Sequence, residues 1–151
     1  MSRNLRSFVG LALAGVVAFP VAVFADGQDT IDYRRHIMKT MGEQLGAIGQ
    51  ILKGTIPADS FATHAEILAL NATTAKKAFE PKVLGGDAKP ELWENWADFS
   101  KRLDTLAAAT AEFAKLAKAG GVAAAGPKAQ ETFTCKGCHD KYRQEKEKEK
   151  K

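Results

Sequence analysis

Leu92, Trp96, Phe99, Leu103, Leu106, Thr110 and Phe113 follow one another three or four places apart, almost without interruption. That spacing puts them on one face of a helix, which must be buried against other helices. Strand-type alternation is absent, so the chain is committed to an all-α architecture.

Three more helices are expected around this one. The first opens at Asp29, a good N-cap, and carries Ile31, Met38, Met41, Leu45, Ile48 and Leu52 as a stripe. Gly54 and Pro57 end it. The second opens at Asp59 or Ser60, with Phe61, Leu68, Ala72, Ala75 and Phe79 facing inward, and stops before Pro81. The loop "PKVLGGDAKP" has two glycines and two prolines and excludes a regular element. Pro90 starts the third helix, which Gly120-Gly121 interrupts. Pro127 suits the first turn of a fourth, with Ala129, Phe133, His139 and Tyr142 following. Short connections between amphipathic helices predict an antiparallel four-helix bundle. Trp96 lies on the apolar stripe and Trp93 less clearly so; both read as packing residues.

The N-terminus reads as a leader. Arg3 and Arg6 precede the uncharged run "FVGLALAGVVAFPVAVFA", which closes on small residues at Val23 and Ala25. Residues 1–25 are therefore expected to be a cleaved signal peptide, and 26–151 the folded domain. The alternative, an uncleaved membrane anchor, is disfavoured by Gly10, Gly15 and Pro20. The formal net charge of +4 includes the two leader arginines, so the mature chain is close to neutral. Charges of both signs are mixed along every segment, which speaks against a nucleic-acid partner. The alternating tail "EKEKEKK" reads as a frayed, solvated helix end.

Both cysteines lie in the run "TFTCKGCHDKYR". A thioredoxin-like pair would begin a helix after a strand, whereas this motif is expected inside the fourth helix. Structural zinc needs four ligands, and Cys135, Cys138 and His139 supply three. A haem uses every residue. Cys135 and Cys138 share one helix face, so their thiols can add to the two vinyl groups of one porphyrin, and His139 offers a neutral imidazole to the iron. Export fits, since c-type haem is attached outside the cytoplasm. One covalently attached haem c per chain is the expected cofactor. Lys136 and Gly137 occupy the variable positions of the motif.

A haem motif near the C-terminus, on the last of four helices, resembles the class II c-type cytochromes, the cytochrome c prime family. The likeness spans Asp26 to Arg143. "YRRHIMKTMGEQLGAIGQILKG" is similar to the family's first helix, "KPELWENWADF" to its third and "TFTCKGCHDKYR" to its haem-binding fourth. The resemblance implies that Arg34 lies near a haem propionate and that Met38, four places on, faces the iron from the distal side. Members with methionine there are low-spin, six-coordinate electron carriers. Members with a bulky non-ligating group are high-spin, five-coordinate and bind nitric oxide or carbon monoxide.

Met38 sits on the apolar stripe, and thioether sulfur is a soft ligand suited to haem iron, although methionine at helical spacing is more often core filler. Met41 and His64 are the weaker candidates for that ligand, and His36 should point away. Arg143, one turn after His139, is a further candidate for a propionate or haem-face contact, or else an exposed arginine.

The function expected from this pattern is a periplasmic, low-spin, His139/Met38-ligated carrier of single electrons. The first alternative is a five-coordinate gas-binding cytochrome, and the second a non-redox haem bundle or subunit of a larger complex. No nucleophile–base pair or phosphate loop indicates an enzyme. The expected partners are other periplasmic redox proteins in transient contact, with neither nucleic acid nor, after signal cleavage, membrane. The resemblance admits a homodimer.

Overall fold

The computed structural model describes residues 27–144. The expected signal peptide and the alternating tail lie outside the described residues. Within them the chain is helical: α1 (Gly27–Leu52), α2 (Phe61–Phe79), α3 (Glu91–Glu94), α4 (Trp96–Ala125), α5 (Ala129–Thr132) and α6 (Cys135–Tyr142). The long helices α1, α2 and α4 form three sides of a bundle, and α5 and α6 together form the fourth.

Helix α1 buries Arg34, Ile37, Met41, Ile48 and Ile51, a stripe of helical period. It ends where Gly54 takes a φ of +73°. There the Thr55 N–H bonds Gln50 O at 3.1 Å and the Gly54 N–H bonds Ile51 O at 2.9 Å. This paired closure satisfies the last carbonyls and needs the left-handed residue that glycine supplies. The inward face of α2 is mostly alanine: Ala65, Ala69, Ala72, Ala75 and Ala78. Small side chains let α1 and α4 pack closely on either side of it.

Two of the expected helices are broken. The third begins as the single turn α3 and is interrupted at Asn95 (φ −112°, ψ 39°) before α4 starts. The fourth is not continuous from Pro127. A 3-10 turn at Gly126–Lys128 leads into α5, and the chain leaves the helix at Phe133 (φ −96°, ψ 62°). Phe133 turns its ring onto Phe113, with centroids 4.9 Å apart and planes at 62°. An edge-to-face contact of this kind, beside β-branched Thr132 and Thr134, outweighs continued helix. Cys135 consequently begins α6 instead of lying inside a longer helix. Gly120 and Gly121 have non-helical backbone, which kinks α4 near its end as expected.

Two aromatic clusters hold the ends of the bundle. Phe113 joins Phe61 (5.8 Å) and Phe133 at one end. At the other, Phe99 meets Phe79 and Tyr142, each at 5.2 Å. Trp93 is also a packing residue, and its indole N–H donates to Phe79 O at 2.9 Å. The loop after α2 is irregular, as expected, but pairs with the C-terminal end of α6. Lys89 N–H bonds Tyr142 O at 2.9 Å, and Gln144 N–H bonds Asp87 O at 2.8 Å.

Candidate cofactor cavity

Between α1, α4 and α6 lies a cavity of about 1130 Å³. Pockets for drug-sized ligands run to about 1,000 Å³, so this one accommodates a large, flat cofactor. Cys135, Cys138 and His139 line it from α6, Met38 and Arg34 from α1, and Arg143 from its edge. Residues more than a hundred positions apart in sequence therefore face one space. Met41 lines it as well. His36 is exposed at the rim, whereas His64 lies outside the lining, its Nδ1 2.8 Å from Gln44 Oε1.

The break at Phe133 and Thr134 aims the motif. Phe133 anchors the chain just before Cys135, and Tyr142, 3% exposed, anchors it just after His139. Both cysteines are half-buried free thiols. Burial pushes the Cys135 thiol up, and at Cys138 burial does so against the opposing pull of Arg102. They are thus neutral on a largely apolar wall. Burial, followed by the charge of Arg143, holds the His139 imidazole below its ordinary value, against a weaker opposing effect of Asp140. The neutral form is the one that ligates a metal.

Arg34 is 3% exposed. Its Nη1 donates to Val83 O at 2.9 Å and its Nη2 to Gly85 O at 3.3 Å. The guanidinium carbon lies 5.5 Å from the Phe79 ring centroid and 5.1 Å from that of Trp93. Burial lowers its pKa, with the neighbouring Arg35 charge adding to the effect. Arg34 lines the cavity, but two of its donors hold the loop. Guanidinium has five donors, so others are left for an anionic group.

Among the described residues, no three His, Cys, Asp or Glu side chains converge as the ligand shell of a single ion. Two thiols three places apart, an adjacent neutral imidazole and an apolar cavity with arginines at its margin fit a covalently held porphyrin.

One cluster is not anticipated by the sequence pattern. Asp98 of α4 accepts from Arg102 Nε at 2.9 Å, from Lys141 Nζ at 3.0 Å and from the Tyr142 hydroxyl, all through the same oxygen. The local signal was the Asp98/Arg102 spacing of four; the partners on α6 had none.

The cytochrome C' family model matches residues 29–143. The chain belongs to the cytochrome c' family, the class II c-type cytochromes. It is 31% identical to cytochrome c' of Alcaligenes xylosoxydans xylosoxydans over 82% of this chain and 99% of that one. It is also 33% identical to cytochrome c-556 of Agrobacterium fabrum, over 97% of this chain and 100% of the relative. A solved nitric oxide complex of a cytochrome c prime variant from Alcaligenes xylosoxidans matches with a TM-score of 0.74 and 28% identity, covering 81% of this chain and 99% of that one. Another variant of that cytochrome is solved with carbon monoxide bound. The cofactor of this cytochrome is one covalently attached haem c, and its fold is the expected four-helix bundle.

These likenesses correct the functional expectation. A haem with methionine and histidine on its two faces has no open position, whereas the relatives solved with nitric oxide and carbon monoxide must present one. The expectation of a low-spin His139/Met38 electron carrier is therefore overturned, and the likenesses favour the gas-binding alternative. Helical spacing places Met38 beside the cofactor space but carries no information on whether its sulfur reaches the iron.

Among the described residues, no helix is long and apolar enough to cross a membrane.

Proposed function

We propose that this cytochrome binds nitric oxide or carbon monoxide at a five-coordinate haem and is not an enzyme. The observation that carries the reading is its likeness, over nearly the full length of the relative, to a cytochrome c prime solved as a nitric oxide complex. Once bound, the haem would supply an iron able to coordinate a diatomic gas. The chain's residues do the rest. Cys135 and Cys138 would provide the two thioether links, and His139 the proximal imidazole. Arg34 and Arg143 bring positive charge to the margin where propionates would lie.

The α1 wall of the cavity supports the same reading. Ile31, Met38, Met41 and Leu45 line it with apolar groups. Distal polarity and hydrogen-bond donors decide which small ligands a haem stabilises. This apolar patch suits weakly polar nitric oxide and carbon monoxide, while Asp32, Arg34, Arg35, His36 and Lys39 of the same helix also line the cavity. Met38 is half-buried, and its unbranched thioether can swing aside for a ligand.

The expected leader places this activity in the periplasm, where a transient redox partner would keep the iron ferrous. Self-association is supported by Ile67 and Leu70, exposed apolar residues of α2 (38% and 69%). Sedimentation would report the dimer.

The deciding experiment is the absorption spectrum of the haem-loaded protein, oxidised and reduced, with each gas added. Broad high-spin bands that shift on adding nitric oxide are expected. A ferric far-red sulfur-to-iron band, with no response to either gas, would overturn the proposal.

A further inference from the structure

Helix α6 has eight residues and carries the whole attachment motif. A helix this short does not hold its own orientation, so its direction is set by what grips it. The aromatic contacts of Phe133 and Tyr142 fix its two ends. The grip along its length comes from one carboxylate on α4.

Asp98 binds α6 at two levels. Near the C-terminal end, its Oδ2 accepts from the Tyr142 hydroxyl and from Lys141 Nζ. Near the motif it works through Arg102, one turn along α4, whose Nε it holds at 2.9 Å. The Arg102 guanidinium lies over the attachment turn: Nη1 is 3.7 Å from where a Cβ on Gly137 would stand. His139 lies between these two points of support, and both Asp98 and Arg102 line the cavity. Tyr142 is 3% exposed, so its hydroxyl has a fixed place.

We propose that Asp98 is a positioning residue for His139: through Arg102 and Tyr142 it sets the angle at which α6 presents the imidazole to the iron, and so the strength of the iron–histidine bond. The inference rests on His139 being the proximal ligand. It assigns to Asp98 a role in tuning the haem without touching it. A loosened α6 tilts the ring, weakens the bond and changes how readily a gas on the opposite face is held.

The test is resonance Raman spectroscopy of the ferrous, gas-free holoprotein, reading the iron–histidine stretching band. Asp98→Ala is expected to shift and broaden the band, Tyr142→Phe to do so less, and Asp104→Ala to leave it in place. Asp104 pairs with Lys76 at 2.7 Å, joining α4 to α2, so its loss controls for general weakening of the bundle. A several-fold change in carbon monoxide dissociation should accompany the shift. An unmoved band in Asp98→Ala and Tyr142→Phe, with only a lowered melting temperature, overturns the proposal and leaves Asp98 a structural tie. If Asp98→Ala does not fold, Tyr142→Phe and Arg102→Gln decide by the same criterion, since each removes one of the two links. A wild-type protein with no iron–histidine band overturns the His139 assignment itself, which is a distinct result.

Discussion

Ile31 fills the space that a side chain at Gly86 would need: a Cβ built on Gly86 would fall 2.8 Å from Ile31 Cγ2. The loop after α2 thus lies on α1 through bare backbone. Gly86 also has a φ of +64°, which a residue with a side chain adopts only under strain. Gly86→Ala is expected to cost about 1–3 kcal/mol, seen as a lower urea midpoint. Gly46→Ala is the contrast. Nothing lies within 4 Å of a Cβ there, and in mid-helix the change should stabilise by about 0.5–1 kcal/mol.

Phe113 links Phe61 to Phe133 and is 1% exposed. Phe113→Ala should cost about 3–5 kcal/mol in chemical denaturation. Because Phe133 immediately precedes the attachment turn, amide exchange at residues 133–138 should also rise in the variant.

Arg34 satisfies two loop carbonyls and lies against two aromatic rings. Arg34→Leu should lose about 2–3 kcal/mol and release the backbone at Val83 and Gly85 to hydrogen exchange. Arg34→Lys should not restore protection, because a point charge cannot replace the planar fork that reaches both carbonyls.

The Asp98 carboxyl is held well below the usual carboxylate range by hydrogen bonds from Arg102, then Tyr142, then Lys141. Its folded value is thus below its unfolded one. The associated stability is present above the unfolded value and is lost as pH falls through the folded one. The wild type should lose stability progressively below about pH 4. Asp98→Asn should be less stable at neutral pH and show a shallower acid decline, measured as urea midpoints across the acid range.

Local patterns in the chain were readable and distant ones were not. The long helices announce themselves because burial repeats every turn, as along Phe99, Leu103, Thr110 and Phe113. Gly54 and Pro57 stop α1 through backbone chemistry that needs no partner. The breaks at Asn95 and Phe133 depend on tertiary packing, and periodicity runs straight through both. The same division holds at the site. Cys135, Cys138 and His139 declare their chemistry within five residues. Asp98 meets Tyr142 across 44 positions, and no spacing rule connects them. Met38 was legible as a residue of the apolar stripe, and the structure places it on the cavity wall.

The shortness of α6 also bears on how the protein is made. Eight residues cannot sustain a helix by their own hydrogen bonds, whereas α1, α2 and α4 have a core to close around. Coupling both thiols to one haem would tie this segment to the cofactor, and through it to the α1 and α4 walls of the cavity, a constraint that eight residues lack on their own.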